Sequence, residues 1–280
     1  MTATEPDFIR DTRAGYDAIA ADYAELVRSA PEHDPLGRAM LGTFAEYVRT
    51  DGGGPVVEIG SGPGQMTAHL HTLGLDISGI DLSPVMVAMA RRTYPELRFE
   101  EGSMTGLALP DGALAGLVAW YSIIHIVPER LPDVFAQFHR VLAPGGRLLL
   151  AFQVGDEPRH YDEAFGHPVN LDFRRLSPDR VLDLLERAGF RPTARLLREP
   201  YETDPTPHAL VLARKPLPEP GTQGLSSGSR RARVPRHHAS PPLTAPEGGT
   251  ASAVPPSSAV RSTAPPWHRP LTRRALTDPA

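Results

Sequence analysis

The sequence contains no cysteine among its 280 residues. This excludes a disulfide framework, a thiol nucleophile and a thiolate metal site, and it gives no support to an oxidising compartment. The first residues lack the basic patch and apolar run of a secretory signal, so we expect a cytoplasmic protein. The longest apolar stretch, 113–127, is interrupted by Gly116, Ser122 and His125 and is shorter than the roughly 20 residues of a membrane-spanning helix.

Lysine is almost as scarce as cysteine, since Lys215 is the only one. The formal net charge is -4, but residues 216–280 hold eight arginines and only three acidic residues. The preceding part is therefore more acidic than the whole chain, which argues against nucleic acid as its substrate.

We expect one folded domain in residues 1–215. Residues 216–280, rich in Pro, Ser and Arg and without apolar periodicity, are expected to be a disordered tail.

Strand and helix patterns alternate along the predicted domain. Helical patterns at 11–28 and 36–49 precede a short β-branched strand at 56–59. The alternation predicts an open, doubly wound and mostly parallel sheet, because parallel strands need helical crossovers. The further predicted strands are 77–80, 97–100, 114–121, 147–152, 191–197 and 208–214, with helices at 66–73, 84–92, 129–142 and 178–188.

The strongest functional signal is the segment EIGSGPGQ at 58–65, between a predicted strand and a predicted helix. Glycine lets the backbone approach a ligand, and the start of a helix offers free N–H donors. Asp81 ends the next strand, 21 residues after Gly60, so its carboxylate is expected to bind ribose hydroxyls in the same crevice. An N-cap role for Asp81 before Ser83 is the structural alternative. Together these residues predict a nucleoside-containing cofactor.

The glycine spacing disfavours a dinucleotide cofactor. The fingerprint for NAD or FAD is GxGxxG or GxGxxA, whereas here Gly64 comes one residue early and Gln65 occupies the position of the small residue. A nicotinamide-dependent oxidoreductase therefore remains only as the alternative enzyme, and no SxxxYxxxK set supports it.

Several motifs in order resemble those of class I S-adenosylmethionine-dependent methyltransferases, over about residues 11–215. EIGSGPG resembles their first motif, and GIDLS at 79–83 resembles the second. Residues 101–110 are similar to the stretch that encloses adenine, and 140–152 to the motif of the fifth strand. The resemblance implies a seven-stranded Rossmann-like methyltransferase fold, S-adenosylmethionine as the cofactor and a small molecule as the methyl acceptor.

The resemblance also implies the cofactor-binding residues. Asp81 corresponds to the ribose ligand, Leu82 and Met86 to residues that contact adenine, and Glu58 to an acid that organises the methionine end. Ser103 stands where many relatives have an aspartate for the adenine amino group, so we expect a weaker bond there and modest affinity. The full predicted set is Tyr16, Glu58, Gly60, Ser61, Gly62, Gly64, Asp81, Leu82, Met86, Ser103, Met104 and Tyr121.

The reaction side of the site is predicted where the fourth strand ends. Methyl transfer needs the nucleophile, carbon and sulfur in line, and it needs a base only when the nucleophile is protonated. Tyr121 is expected beside the cationic sulfur, and His125 is the candidate base. A structural role for His125 under the loop before Pro128 stays open. The non-enzyme alternative is a cofactor-binding protein without turnover, which the undecided role of His125 and the substitution at Ser103 keep open.

Two further segments are expected near the acceptor. The loop 160–167 connects the fifth strand to the next helix, and its His and aromatic residues are hypothesised to line the acceptor pocket. Tyr16 and Tyr23 lie seven residues apart on one helical stripe. They either cap the cofactor as a lid or pack in the core, and we favour core packing for Tyr23.

Overall fold

The computed structural model describes residues 5–28, 34–200 and 206–218. The predicted tail lies outside the described residues except for 216–218, so the domain boundary at 215 stays a prediction. The helices are α1 (Asp7–Val27), α2 (Pro35–Thr50), α3 (Gln65–Thr72), α4 (Pro84–Thr93), α5 (Leu131–Val141) and α6 (Pro178–Arg187). The strands are β1 (Val56–Ile59), β2 (Ile77–Asp81), β3 (Arg98–Glu101), β4 (Leu114–Trp120), β5 (Leu142–Gln153), β6 (Arg159–Ala164), β7 (His167–Phe173), β8 (Arg191–Arg198) and β9 (His208–Arg214).

Seven of these strands form one sheet in the order β3-β2-β1-β4-β5-β9-β8. The first five are parallel neighbours, whereas β9 is antiparallel to both β5 and β8. This confirms the predicted doubly wound, mostly parallel sheet with seven strands. The strand order reverses between β1 and β4, and in such sheets ligands bind at the carboxyl ends of the strands beside the reversal.

Both faces of the sheet are covered, which explains the continuous apolar runs of its central strands. Consecutive residues of a strand point to opposite faces. Leu150 accordingly packs in the same cluster as Phe135 and Phe138 of α5, whereas Leu149 packs with Phe44 of α2. All five side chains are fully buried. Of the helices among the described residues, none has the length and apolar character required to cross a membrane.

Side-chain caps define where three helices begin. Asp34 accepts a hydrogen bond from Gly37 N, Ser83 accepts one from Met86 N, and Ser177 caps α6 as the sequence predicts. Each cap is followed by proline in the first turn. Proline fits there because the N–H groups of the first turn have no intrahelical acceptor, so its missing N–H removes no hydrogen bond of the helix. The start of α4 is therefore fixed next to the end of β2.

The segment predicted as the loop 160–167 instead contributes to a β-hairpin. Strands β6 and β7 pair in an antiparallel ladder, and the two residues between them, Phe165 and Gly166, have φ angles of 55° and 82°. Two positive φ angles are what the tight type I′ turn requires. Phe165 tolerates its angle because its ring is buried with Ile19 of α1 and Leu171 of β7. The hairpin thus packs against the first helix of the chain.

Candidate active site

A cavity of about 750 Å³, including its open mouth, lies at the carboxyl ends of β1, β2 and β4, beside the strand-order reversal. Helix α1 contributes a further part of the wall. This placement confirms the crevice expected from the strand order. The predicted site residues that line the cavity are Tyr16, Gly60, Gly62, Asp81, Leu82, Met86, Ser103, Met104, Tyr121 and His125.

The glycine loop after β1 leaves room that no other residue would leave. Gly60 and Gly62 have φ angles of +75° and +53°, which L side chains rarely adopt. A Cβ on Gly60 would lie 2.3 Å from the Cβ of Ser122. Ser122 donates a hydrogen bond of 2.6 Å to the carbonyl of Ile59, so the ends of β1 and β4 are locked together here. The loop backbone therefore forms part of the cavity floor itself.

Asp81 is held at the end of β2 because both of its carboxylate oxygens accept hydrogen bonds from the backbone. Its Oδ2 accepts from Gly62 N at 2.7 Å, and its Oδ1 accepts from Ser83 N at 2.8 Å. Burial raises the pKa of Asp81 to about 6. The N-cap alternative is wrong, because Ser83 caps α4. Each carboxylate oxygen can accept a second hydrogen bond, so the residue fits a ribose with two hydroxyl donors.

The part of the cavity near the end of β3 is mostly apolar. Leu82, Met86 and Met104 line it together with Ser103. The Ser103 hydroxyl lies 2.8 Å from Thr105 Oγ1 and also accepts from Thr105 N at 3.3 Å. These residues offer apolar contacts and a side-chain hydroxyl where the resemblance implies adenine. The weak contact of Ser103 with the adenine amino group stays a prediction.

Three predicted cofactor residues do not line the cavity. Glu58 is buried and accepts a hydrogen bond from the Thr67 hydroxyl, and burial raises its pKa to about 8. Ser61 is also buried. Gly64 begins α3 with a φ of +91°, and a Cβ there would lie 2.8 Å from the ring of Phe99. These residues shape the loop from behind, and their direct contact with the cofactor stays a prediction.

His125 is anchored on one side and faces the cavity on the other. Its Nδ1 lies 3.1 Å from the carbonyl oxygen of Asp172, and its Nε2 lies 2.9 Å from the Tyr16 hydroxyl. Since a carbonyl only accepts, we assign the proton to Nδ1, and Nε2 then accepts from Tyr16. Burial lowers the pKa of His125 to about 4, with a further lowering from Arg174. The histidine is therefore structurally bonded and neutral at pH 7, and its role as a base stays a prediction.

Helix α1 is bound to the cofactor side of the cavity by polar contacts. Arg13 donates to the carbonyl of Leu82 at 3.2 Å, and Asp17 accepts from the Ser83 hydroxyl. Tyr16 and Tyr23 contact each other edge to face, with ring centroids 5.3 Å apart, and both line the cavity. We expected Tyr23 to pack in the core. It does pack against the cluster of Ile19 and Leu171, but it also lines the cavity. The helix is placed as a lid.

Sequence analysis missed the part of the wall formed by the first turns of α1. Phe8, Ile9, Thr12 and Arg13 line the cavity, because the helix begins at Asp7 rather than at residue 11. The four-residue spacing of Phe8, Thr12 and Tyr16 was the available signal.

The acceptor-wall hypothesis for the loop 160–167 was wrong. In the described part of the chain, no residue of 159–173 lines the cavity. Tyr161 and Phe173 of the hairpin contact each other edge to face with ring centroids 5.3 Å apart, and the Phe173 and His125 ring centroids are 4.9 Å apart. The hairpin thus supports α1 and His125 from behind.

Tyr121 has an unusual backbone at the end of β4. Its φ is +54°, which costs a bulky residue about 1–3 kcal/mol. Its backbone N–H donates to the carbonyl of Ala151 at 2.9 Å, and its hydroxyl lies 2.7 Å from Nδ1 of His208 on β9. Such strain persists only where surrounding contacts hold the residue in place.

Comparison with known proteins connects this geometry to a family. A family model described as a methyltransferase domain matches residues 56–146. The O-methyltransferase cnsE of Penicillium expansum is 29% identical over 199 residues, covering 66% of this chain and 68% of the relative. A demethylmenaquinone methyltransferase of Thermus thermophilus is 30% identical over 161 residues, which cover 55% of this chain and 69% of the relative. Two further demethylmenaquinone methyltransferases match over only 37% of their own length.

The solved structures support the same fold. The chain of the DhpI–SAH complex superposes with a TM-score of 0.59 at 20% identity, covering 76% of this chain and 99% of that chain. At this identity the likeness shows the fold alone. The oxidoreductase alternative gains no support from these comparisons. The ordered motifs, the Asp81 and glycine-loop geometry and the relatives agree, and the chain belongs to the class I S-adenosylmethionine-dependent methyltransferases, with S-adenosyl-L-methionine as its cofactor.

Proposed function

We propose that this methyltransferase methylates a hydroxyl oxygen of a small, largely apolar molecule, with His125 as the general base. The observation that carries the proposal is the orientation of His125, whose Nε2 accepts a hydroxyl hydrogen bond at the cavity wall while Nδ1 is anchored on Asp172. S-adenosylmethionine supplies a methyl group on a positively charged sulfur. Asp81 binds the ribose, and the glycine loop with Leu82 and Met86 accommodates the rest of the nucleoside.

The protonation state of His125 suits this role at neutral pH. Its lowered pKa keeps the imidazole neutral, so its lone pair is present without prior loss of a proton. The Tyr16 hydroxyl shows that an O–H group fits against Nε2 at 2.9 Å. An acceptor hydroxyl that replaces Tyr16 there would pass its proton to His125 while its oxygen takes the methyl group, and the methyl–sulfur bond would break to leave S-adenosylhomocysteine. His125 then releases this proton to solvent.

The cavity lining indicates the character of the acceptor. Phe8, Ile9, Trp120 and Ile126 are apolar, and Thr12 and Tyr16 carry hydroxyls. A small apolar molecule with one or few hydroxyls matches this lining. The name of the Penicillium expansum relative, an O-methyltransferase, supports oxygen as the methylated atom. A cytoplasmic location and the lack of a nucleic-acid substrate remain proposals from composition.

The test is methyl incorporation from labelled S-adenosylmethionine into a panel of phenols and aliphatic alcohols, with amines and thiols in parallel. The informative variant is His125→Asn, since the Asn amide can still donate to Asp172 but offers no base at the Nε2 position. We expect transfer to hydroxyl compounds, reduced about 100-fold or more in the variant. Its dissociation constant for S-adenosylmethionine should change less than about twofold.

Tyr16→Phe is the matched control, because it removes the other half of the same hydrogen bond and leaves the base. It should retain most of the turnover. Incorporation into amines alone, or full turnover by His125→Asn, would contradict the proposal.

A further inference from the structure

The last strand of the sheet is connected to the cavity through one buried hydrogen bond. His208, the first residue of β9, is fully buried. Its Nδ1 lies 2.7 Å from the hydroxyl of Tyr121, and the two ring centroids are 5.2 Å apart. His208 itself does not line the cavity, whereas Tyr121 does. The contact with Tyr121 therefore connects His208 to the cavity.

The strained backbone of Tyr121 needs such a partner. With φ at +54°, the residue leaves the regular geometry of β4, and its ring lies in the cavity wall. Trp120 packs edge to face on one side of the ring, with centroids 5.6 Å apart, and His208 contacts it on another. The imidazole contacts the phenol at its hydroxyl end. Removing it takes away a contact that restrains the ring, while the backbone N–H of Tyr121 stays bonded to Ala151.

The order of the strand ends indicates which part of the cofactor Tyr121 meets. Ser103 follows β3, Asp81 ends β2, Gly60 follows β1, and Tyr121 follows β4, in the spatial order of the sheet. In the cofactor, adenine, ribose and sulfonium follow each other covalently. With ribose at Asp81 and adenine toward Ser103, as the proposed function requires, the sulfonium lies on the side of Gly60 and Tyr121.

We propose that His208 is a positioning residue that holds the ring of Tyr121 beside the sulfonium and so raises the affinity for S-adenosylmethionine relative to that for S-adenosylhomocysteine. An aromatic ring attracts a cation but not a neutral thioether. The substrate form of the cofactor carries that cation and the product form does not. The pair therefore favours binding before transfer and release after it. This inference rests on the proposed placement of the cofactor and adds a determinant 87 residues away from Tyr121.

The experiment is calorimetric titration of the full chain with S-adenosylmethionine and S-adenosylhomocysteine. His208→Leu removes the hydrogen bond, and His208→Asn restores a polar group near the Nδ1 position. We expect His208→Leu to weaken S-adenosylmethionine binding about fivefold and S-adenosylhomocysteine binding less than twofold, with His208→Asn close to the wild type. His139→Leu, at a partly buried histidine outside the cavity, should change neither affinity.

Tyr121→Phe tests the same bond from the cavity side and keeps the inference testable where His208→Leu fails to fold. It should shift the preference in the same direction, and the double variant should be no worse than His208→Leu alone. Equal losses for both nucleosides, or an unchanged preference in both single variants, would overturn the inference. If the wild-type protein binds neither nucleoside, the proposed function fails together with this inference. If the wild type binds both nucleosides but the variants leave the ratio of the two affinities unchanged, only the inference about His208 fails.

Discussion

The two parts of the cavity wall are specified in different ways. The strand-end part, from the glycine loop to Met104, is built from consecutive short motifs and falls within the segment that the family model matches. The lid part is α1, and the β6–β7 hairpin, which does not itself line the cavity, holds it through pairs far apart in sequence, such as Ile19 with Leu171 and Asp11 with Asn170. Local motifs thus encode the strand-end part, and long-range packing encodes the lid part.

The largest expected effect concerns a glycine of the strand-end part. Gly60→Ala forces a side chain into a left-handed backbone and against Ser122, 2.3 Å away. We expect the free energy of unfolding to fall by about 2–4 kcal/mol, measured by urea denaturation, and S-adenosylmethionine binding to be lost.

Gly42→Ala is the matched control in α2, where a new Cβ meets nothing within 4 Å. It should raise stability by about 0.5–1 kcal/mol because alanine favours the helix. If both variants lowered the free energy of unfolding by similar amounts, the backbone and packing constraint argued for Gly60 would be contradicted.

The next largest effect tests whether α1 and the hairpin are stabilised separately from the sheet. Leu171→Ala removes a fully buried side chain from the cluster between β7 and α1. We expect about 2–4 kcal/mol less protection of amide hydrogens in α1 and the hairpin, measured by hydrogen exchange, because a cavity opens between them. Amides of β1, β4 and β5 should keep their exchange rates. Equal deprotection of the sheet would contradict two separately stabilised parts.

The smallest effect is a pH dependence of cofactor binding. The pKa of Asp81 is raised to about 6, and the ribose hydroxyls bind its deprotonated form. Deprotonation is completed as pH rises through 6, so affinity for S-adenosylmethionine should be about tenfold weaker at pH 5 than at pH 7.5. Calorimetry in both buffers measures this. Asp81→Asn, which cannot titrate, should bind weakly and equally at the two pH values, and a persistent pH effect in that variant would assign it to another group.

Sequence alone predicted the sheet and most of the cofactor side for a physical reason. A glycine loop between a buried strand and a helix, followed by an acid at the next strand end, is a local arrangement. The structure accordingly brings Gly60, Gly62 and Asp81 into one cavity. It does not bring Glu58 there, because the carboxylate is buried and accepts a hydrogen bond from the Thr67 hydroxyl of α3, a contact that no local pattern predicts.

The lid could not be predicted in the same way. The hairpin turn uses Phe165, a residue that rarely takes a positive φ, and it is stable only because its ring packs on α1. The Tyr16–His125 contact spans 109 residues and the Tyr121–His208 contact spans 87. No local pattern records such pairs, since they arise only when the sheet is assembled.

The central claim is that Asp81 and the glycine loop bind S-adenosylmethionine. Its most direct test is calorimetric titration of the full chain with S-adenosylmethionine, S-adenosylhomocysteine and NAD, with Asp81→Ala alongside. We predict that both sulfur nucleosides bind the wild type, that NAD does not, and that Asp81→Ala weakens nucleoside binding about 100-fold or more, because two charge-assisted hydrogen bonds are lost. Binding of NAD, or an unchanged dissociation constant in Asp81→Ala, would contradict the claim.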